Sequence, residues 1–186
     1  RIKYFIRKYQ KTFKADKNLS LTAAELCKAD LCSEVVYEMP ELQGIIGSKY
    51  AEIEGLNKKI ILAIKEHYSP LGPHDICPQS PESVFLSFAD KLDSLVGFIG
   101  INLKPSGSKD PYGIRRSGIG LIRLILDNNI RIPFKVVIES VYDRYIDQNI
   151  KLNLSKADTI NVTLEFLMDR LKGFVRDENI SQSCIS

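Results

Sequence analysis

Two carboxylates sit inside apolar helical runs, and a carboxylate placed there needs a partner. Asp30 lies in Leu26-Cys27-Lys28-Ala29-Asp30-Leu31, and Asp90 in Phe88-Ala89-Asp90-Lys91-Leu92-Asp93. Burying a lone carboxylate is costly. Each must therefore pair with a cation such as Lys28 or Lys91, or join a set of metal ligands. Two carboxylates without imidazoles make a poor transition-metal site. The only histidines are His67, at the end of a helical run, and His74, which precedes Asp75 between Pro73 and Pro78. His74-Asp75 reads as a chance dyad in a loop. Asp30 and Asp90 are expected in buried or half-buried ion pairs, and no residue is assigned to catalysis or to a metal.

A second kind of chemistry is concentrated between Gly97 and Arg116. A Gly/Pro/Ser loop leads toward a helix start, a place that favours anions. Residues 104–123 hold Lys104, Lys109, Arg115, Arg116 and Arg123 against one acid, Asp110. Backbone donors, a positive dipole end and guanidinium forks together suit phosphate. The spacing GxxxxGK[ST] is absent, so nucleotide hydrolysis is not implied. Lys104, Lys109, Arg115 and Arg116 are the candidate phosphate contacts, with Lys28 as a further candidate that Asp30 competes for. The alternative is a capped helix whose arginines pair with acids such as Asp90 or Asp93.

The elements that would position these groups are helical. The 186 residues are 44% apolar and 26% charged with a net charge of +3, ordinary for a globular chain and too little to demonstrate a polyanion partner. The four cysteines, Cys27, Cys32, Cys77 and Cys184, form no CxxC pair and read as reduced cytosolic thiols. No apolar run is long enough to span a membrane. The chain opens at Arg1 in a helical pattern and ends in a polar run, as expected of a piece of a longer protein.

Ile2, Phe5, Ile6, Tyr9 and Phe13 share one face of a helix over 2–13 whose other face is basic. Ser20 is expected to cap a second helix reaching about Tyr37, which Pro40 ends. Further helices are predicted over 41–53, closed by Gly55, and over 58–68. After a proline-rich loop, Ser80-Pro81 starts a helix that buries Val84, Phe88, Leu92, Leu95, Val96 and Ile99. Asp110-Pro111 is expected to start the next, with Ile114, Leu121, Ile122 and Ile125 inward. Pro133 marks another start, followed by Val137, Val141 and Tyr145. Ser155 and Asp158 form a weak capping box for the last, an amphipath carrying Ile160, Leu164, Leu167, Met168, Leu171, Phe174 and Val175. No period-2 alternation supports a strand, so the fold class is all-α.

The acidic segments resemble those of the HD phosphohydrolase superfamily, which uses a His, a His-Asp dyad and a distant Asp on metal. Asp90 stands like the last Asp and Asp30 like the dyad's Asp, but Ala29 replaces the dyad's His and no first His lies upstream. More of the chain resembles the beta subunit of the bacterial two-subunit glycyl-tRNA synthetase. The segments that carry this are AAELCKADL (23–31), ELQGIIGSKYA (41–51), EHYSPLGPHDICPQSP (66–81), ADKLDSLVGFIGI (89–101) and KPSGSKDPYGIRRSGIGLIRLILDNN (104–129). His74 and Gly113 depart from the expected pattern.

The resemblance implies a cytoplasmic enzyme that joins glycine to its tRNA using ATP, with magnesium, at a site on an alpha subunit. Its beta subunit would hold and position the tRNA. Residues 1–103 would be a degenerate HD-like helical domain without its metal set. Residues 104–186 would be a helical extension preceding the anticodon-binding domain. The region itself would carry no cofactor and no catalytic residue; its implied partners are the alpha subunit and tRNA for glycine, with no membrane. Rival readings are a structural spacer or alpha-subunit docking domain, and an active HD-type metal phosphohydrolase.

Overall fold

A computed structural model describes residues 1–103, 110 and 112–177 and is all-α there, with no strand among the described residues. Its α-helices are α1 (Ile2–Phe13), α2 (Lys17–Leu26), α3 (Glu34–Glu38), α4 (Ile45–Ile53), α5 (Lys58–Glu66), α6 (Pro81–Gly100), α7 (Ile114–Asp127), α8 (Phe134–Asp147) and α9 (Lys156–Asp177). Short 3-10 turns cover Ala29–Cys32 and Pro40–Leu42. None of the described helices is long and apolar enough to cross a membrane. Lys104, Lys109 and Cys184 lie outside the described residues.

The chain divides into two compact units. The first comprises residues 1–70 and 76–90; the second comprises 71–75 and 91–186. The division falls within α6.

The first unit is built on an aromatic core. The apolar face of α1 delivers Phe5 and Phe13 to Phe85 and Phe88 of α6, with ring centroids 4.2 Å apart for Phe13–Phe85 and 5.9 Å for Phe5–Phe88. Helix α2 packs on α1 and α5, and α5 on α4. Ser20 does not cap α2. Asp16 does, accepting a hydrogen bond from Leu19 N at 2.9 Å, and Ser20 is buried inside the helix. The predicted long second helix is broken in three. It gives way to the 3-10 turn at Ala29, and Ser33 caps α3 by accepting from Val36 N at 3.3 Å. The break has a cause in Asp30, described below. Gly44 and Gly55 flank α4 at φ 79° and 72°, a conformation that non-glycine residues rarely adopt. At the start of α6, buried Glu82 accepts from Asp16 N and Lys59 Nζ, each at 3.2 Å. Burial raises its pKa, and these bonds more than reverse that, leaving it below the ordinary value.

In the second unit α9 packs on α7 and α8. The Gly100 carbonyl at the end of α6 accepts from Asn153 N at 2.8 Å and Leu154 N at 2.9 Å. Tyr145 of α8 donates its hydroxyl to the Asp93 carbonyl at 2.9 Å. The predicted stripe of α6 is buried, as are Val137, Val141 and Tyr145 of α8. The capping box of α9 is formed: Ser155 Oγ donates to Asp158 Oδ2 at 2.6 Å and accepts from Asp158 N at 3.1 Å. Its stripe buries only Ile160 and Leu167, while Met168 is exposed. Helix α7 starts three residues later than Asp110-Pro111 suggests, after Gly113 in the left-handed region at φ 64°.

Candidate nucleic-acid interface

The two acids behave differently. Asp90 forms the expected ion pair: Lys28 Nζ lies 3.1 Å from Oδ1 and 3.2 Å from Oδ2. The same ammonium is 3.4 Å from Tyr68 Oη and 4.5 Å from the centre of its ring. Burial pulls the Lys28 pKa down, and Asp90 and Tyr68 outweigh it, so the ammonium is held above its usual range. Asp30 is not ion-paired as expected. It is 1% exposed, and its Oδ2 accepts from Gly44 N at 2.6 Å and Gly47 N at 3.0 Å. Backbone amides at the start of α4 take the place of a cation at Oδ2, while Oδ1 is buried with no hydrogen-bond partner among the described residues. Turning Asp30 inward to reach them interrupts the helix after Leu26. Lys28, a candidate RNA contact, is half-buried on Asp90 rather than on Asp30.

His67 lies against this cluster, fully buried, with Nδ1 donating to the Ile64 carbonyl at 2.6 Å. Its Nε2 is buried with no hydrogen-bond partner among the described residues. Burial, and then the Lys28 ammonium, lower its pKa from 6.5 to about 4. Burial also pushes the Cys27 thiol up to about 11, which leaves it unreactive. No group of three or more His, Cys, Asp and Glu residues among those described could hold a metal ion.

The His67 shift sets a pH dependence. The unfolded imidazole protonates near 6.5 and the folded one only near 4, so the unfolded state binds more protons between these values. The contribution of His67 is complete above pH 6.5 and is lost as pH falls toward 4, by about 2–3 kcal/mol. An imidazole NMR titration is expected to show a neutral His67 at pH 5. A midpoint near 6.5 would refute this placement.

The basic segment is arranged differently from its predicted form. The amides at the start of α7 are not left for an external anion. Asp110 takes them, accepting from Ile114 N at 2.8 Å, Arg115 N at 3.0 Å and Arg116 N at 3.4 Å. The acid that the charge count set against the basic residues is thus directed at the backbone. Arg116 is exposed and Arg115 half-buried. Arg123 is anchored: it donates to the carbonyls of Gly72 and Asp75 and pairs with Asp127 at 2.9 Å. That anchors the His74 loop, where Asp75 accepts from Leu71 N at 2.8 Å and His74 is exposed. Asp75, not His74, closes this loop.

Arg115 and Arg116 line an open groove of about 290 Å³ together with Ile119 on α7 and Asp169, Arg170 and Phe174 on α9. Gly118 lets these helices approach, since a Cβ there would lie 2.7 Å from Phe166 Cε1. The guanidinium of Arg170 stacks over the Phe166 ring at 5.2 Å. Its Nε is buried without a hydrogen-bond partner among the described residues. Sequence reasoning placed Phe174 in an apolar stripe and gave Arg170 no role. The only signal was an Asp-Arg pair interrupting that stripe.

Comparison with known proteins agrees with the resemblance. A family model described as glycyl-tRNA synthetase beta subunit matches residues 1–186. Three glycine–tRNA ligase beta subunits are similar to the chain. That of Ruegeria sp. (strain TM1040) is 46% identical over 92% of this chain and 23% of its own length. That of Syntrophomonas wolfei is 43% identical over 88% and 23%, and that of Phenylobacterium zucineum 48% identical over 69% and 19%. The chain spans about a quarter of the length of the curated relatives it matches.

Proposed function

Because this chain belongs to the glycyl-tRNA synthetase beta subunit family, we propose that it is a non-catalytic region that helps hold tRNA for glycine. The whole enzyme would be a cytoplasmic ligase that joins glycine to that tRNA. ATP and magnesium would act at the alpha subunit, the partner of this one. Residues 1–103 would be a degenerate HD-like domain and the remainder a helical extension.

The observation that carries the reading is the side-chain division at α7. Asp110 is committed to backbone amides, while Arg115 and Arg116 line a groove with a third arginine, Arg170. Cations so placed neutralise phosphates and release counterions. A-form stems are read by shape and backbone more than by base edges. Lys104 and Lys109, outside the described residues, remain candidate contacts on their charge alone; Lys28 is a weaker candidate, because it already serves Asp90.

The test is the double reversal Arg115→Glu, Arg116→Glu in the assembled enzyme. Affinity for tRNA is expected to fall, and the plot of log K against log salt to become shallower by about two. Unchanged affinity and slope would leave this region as a spacer or an alpha-subunit docking domain.

A further inference from the structure

We infer that the groove between α7 and α9 takes one unpaired nucleotide of an RNA strand, its phosphate on Arg115 and Arg116 and its base on Phe174 and Ile119. This rests on the proposed RNA-binding role and specifies which part of the RNA enters. A volume of about 290 Å³ lies at the small end of ligand pockets, which run from about 300 Å³ upward, and suits one nucleotide rather than a duplex. An aromatic ring in a basic groove is the combination that single-stranded nucleic acid uses, because each base has a stacking face. The bases of a stem are already stacked and would not reach this floor.

Polar groups set the direction of the nucleotide. Arg170 lines the groove with a buried Nε that lacks a partner among the described residues. Asp169, also in the lining, repels phosphate and directs it to the α7 side. An ionised carboxylate only accepts hydrogen bonds, so Asp169 favours a base edge bearing an amino group: adenine, cytosine or guanine over uracil. An acidic peptide would satisfy the arginines, but it would set like charge against Asp169 and leave Phe174 without a stacking partner.

The experiment uses the full-length beta subunit assembled with its alpha subunit. Binding is measured for labelled hexa-adenylate, hexa-uridylate, a short RNA duplex and an oligoglutamate peptide. Hexa-adenylate is expected to bind more tightly than hexa-uridylate, and Asp169→Asn to narrow that difference. Phe174→Leu and Arg170→Met are each expected to weaken hexa-adenylate by about fivefold to a hundredfold and the duplex much less. Azido-adenosine crosslinking of the unsubstituted enzyme, mapped by mass spectrometry, gives an answer even if a variant misfolds; attachment on α9 is expected, and attachment confined elsewhere would overturn the inference. So would hexa-adenylate binding indifferent to both substitutions, or oligoglutamate binding with the same dependence on Phe174. Duplex binding that needs Arg115 and Arg116, beside hexa-adenylate that ignores the groove, would overturn this inference alone. Loss of both RNA interactions from the unsubstituted enzyme would overturn the proposed function as well.

Discussion

Replacing Asp30 with alanine is expected to lower folding stability by about 3–5 kcal/mol, because it strips two buried amides of their acceptor. Gly44 N and Gly47 N donate to one carboxylate oxygen, at 2.6 and 3.0 Å. A Cβ on Gly47 would lie 3.0 Å from that same oxygen, so the carboxylate sits directly against the backbone. Gly44 holds φ 79° at the start of α4, a turn that presents both N–H groups to one point. With alanine at 30 these donors would face a cavity too tight for easy rehydration. Asp30→Asn keeps a carbonyl oxygen and is expected to cost less than half as much. Urea unfolding of the two variants checks this. Equal losses would mean that shape, rather than the acceptor, holds α4 to the Ala29–Cys32 turn.

The second large effect is expected at Gly97. Its missing side chain makes room for Tyr145, and an added methyl would collide with the Tyr145 hydroxyl and stand 2.8 Å from Cζ. The ring is not free to yield, since its hydroxyl donates to the Asp93 carbonyl at 2.9 Å on the same helix as Gly97. Gly97→Ala should therefore cost about 2–5 kcal/mol, combining overpacking with a strained or broken buried hydrogen bond. It would otherwise gain slightly, as alanine is the better helix former. Combining Gly97→Ala with Tyr145→Leu should recover part of the loss, a coupling that a double-mutant cycle by thermal unfolding measures. Strict additivity of the two losses would place the clash elsewhere.

Much of the fold was legible because its signals are local. The face of α1, the glycine after α4, Pro81 at the start of α6 and the Ser155–Asp158 box each act within a few residues, and each marks the element it predicts. Ser20 was misread because a serine before a helical run looks the same whether it caps or is buried one turn inside; Asp16, four residues earlier, was the cap. The start of α7 was misplaced for a related reason. Asp110 does serve the first-turn amides, but it reaches them across Gly113 rather than from the adjoining position.

Residue chemistry alone determined the all-α class and the demand that Asp30 and Asp90 find partners, and the resemblance of whole segments gave the family. Tertiary structure decided who those partners are. A buried carboxylate needs donors of any origin, and the chain offered lysines and amides alike; proximity gave Lys28 to Asp90 and the amides of Gly44 and Gly47 to Asp30. The cationic groove was decided in the same way. Arg115 and Arg116 announce themselves by charge count, but Arg170 and Phe174 join them only because Gly118 lets α9 lie close to α7. Such packing depends on where two distant helices meet, and periodicity along one helix carries no information about that meeting.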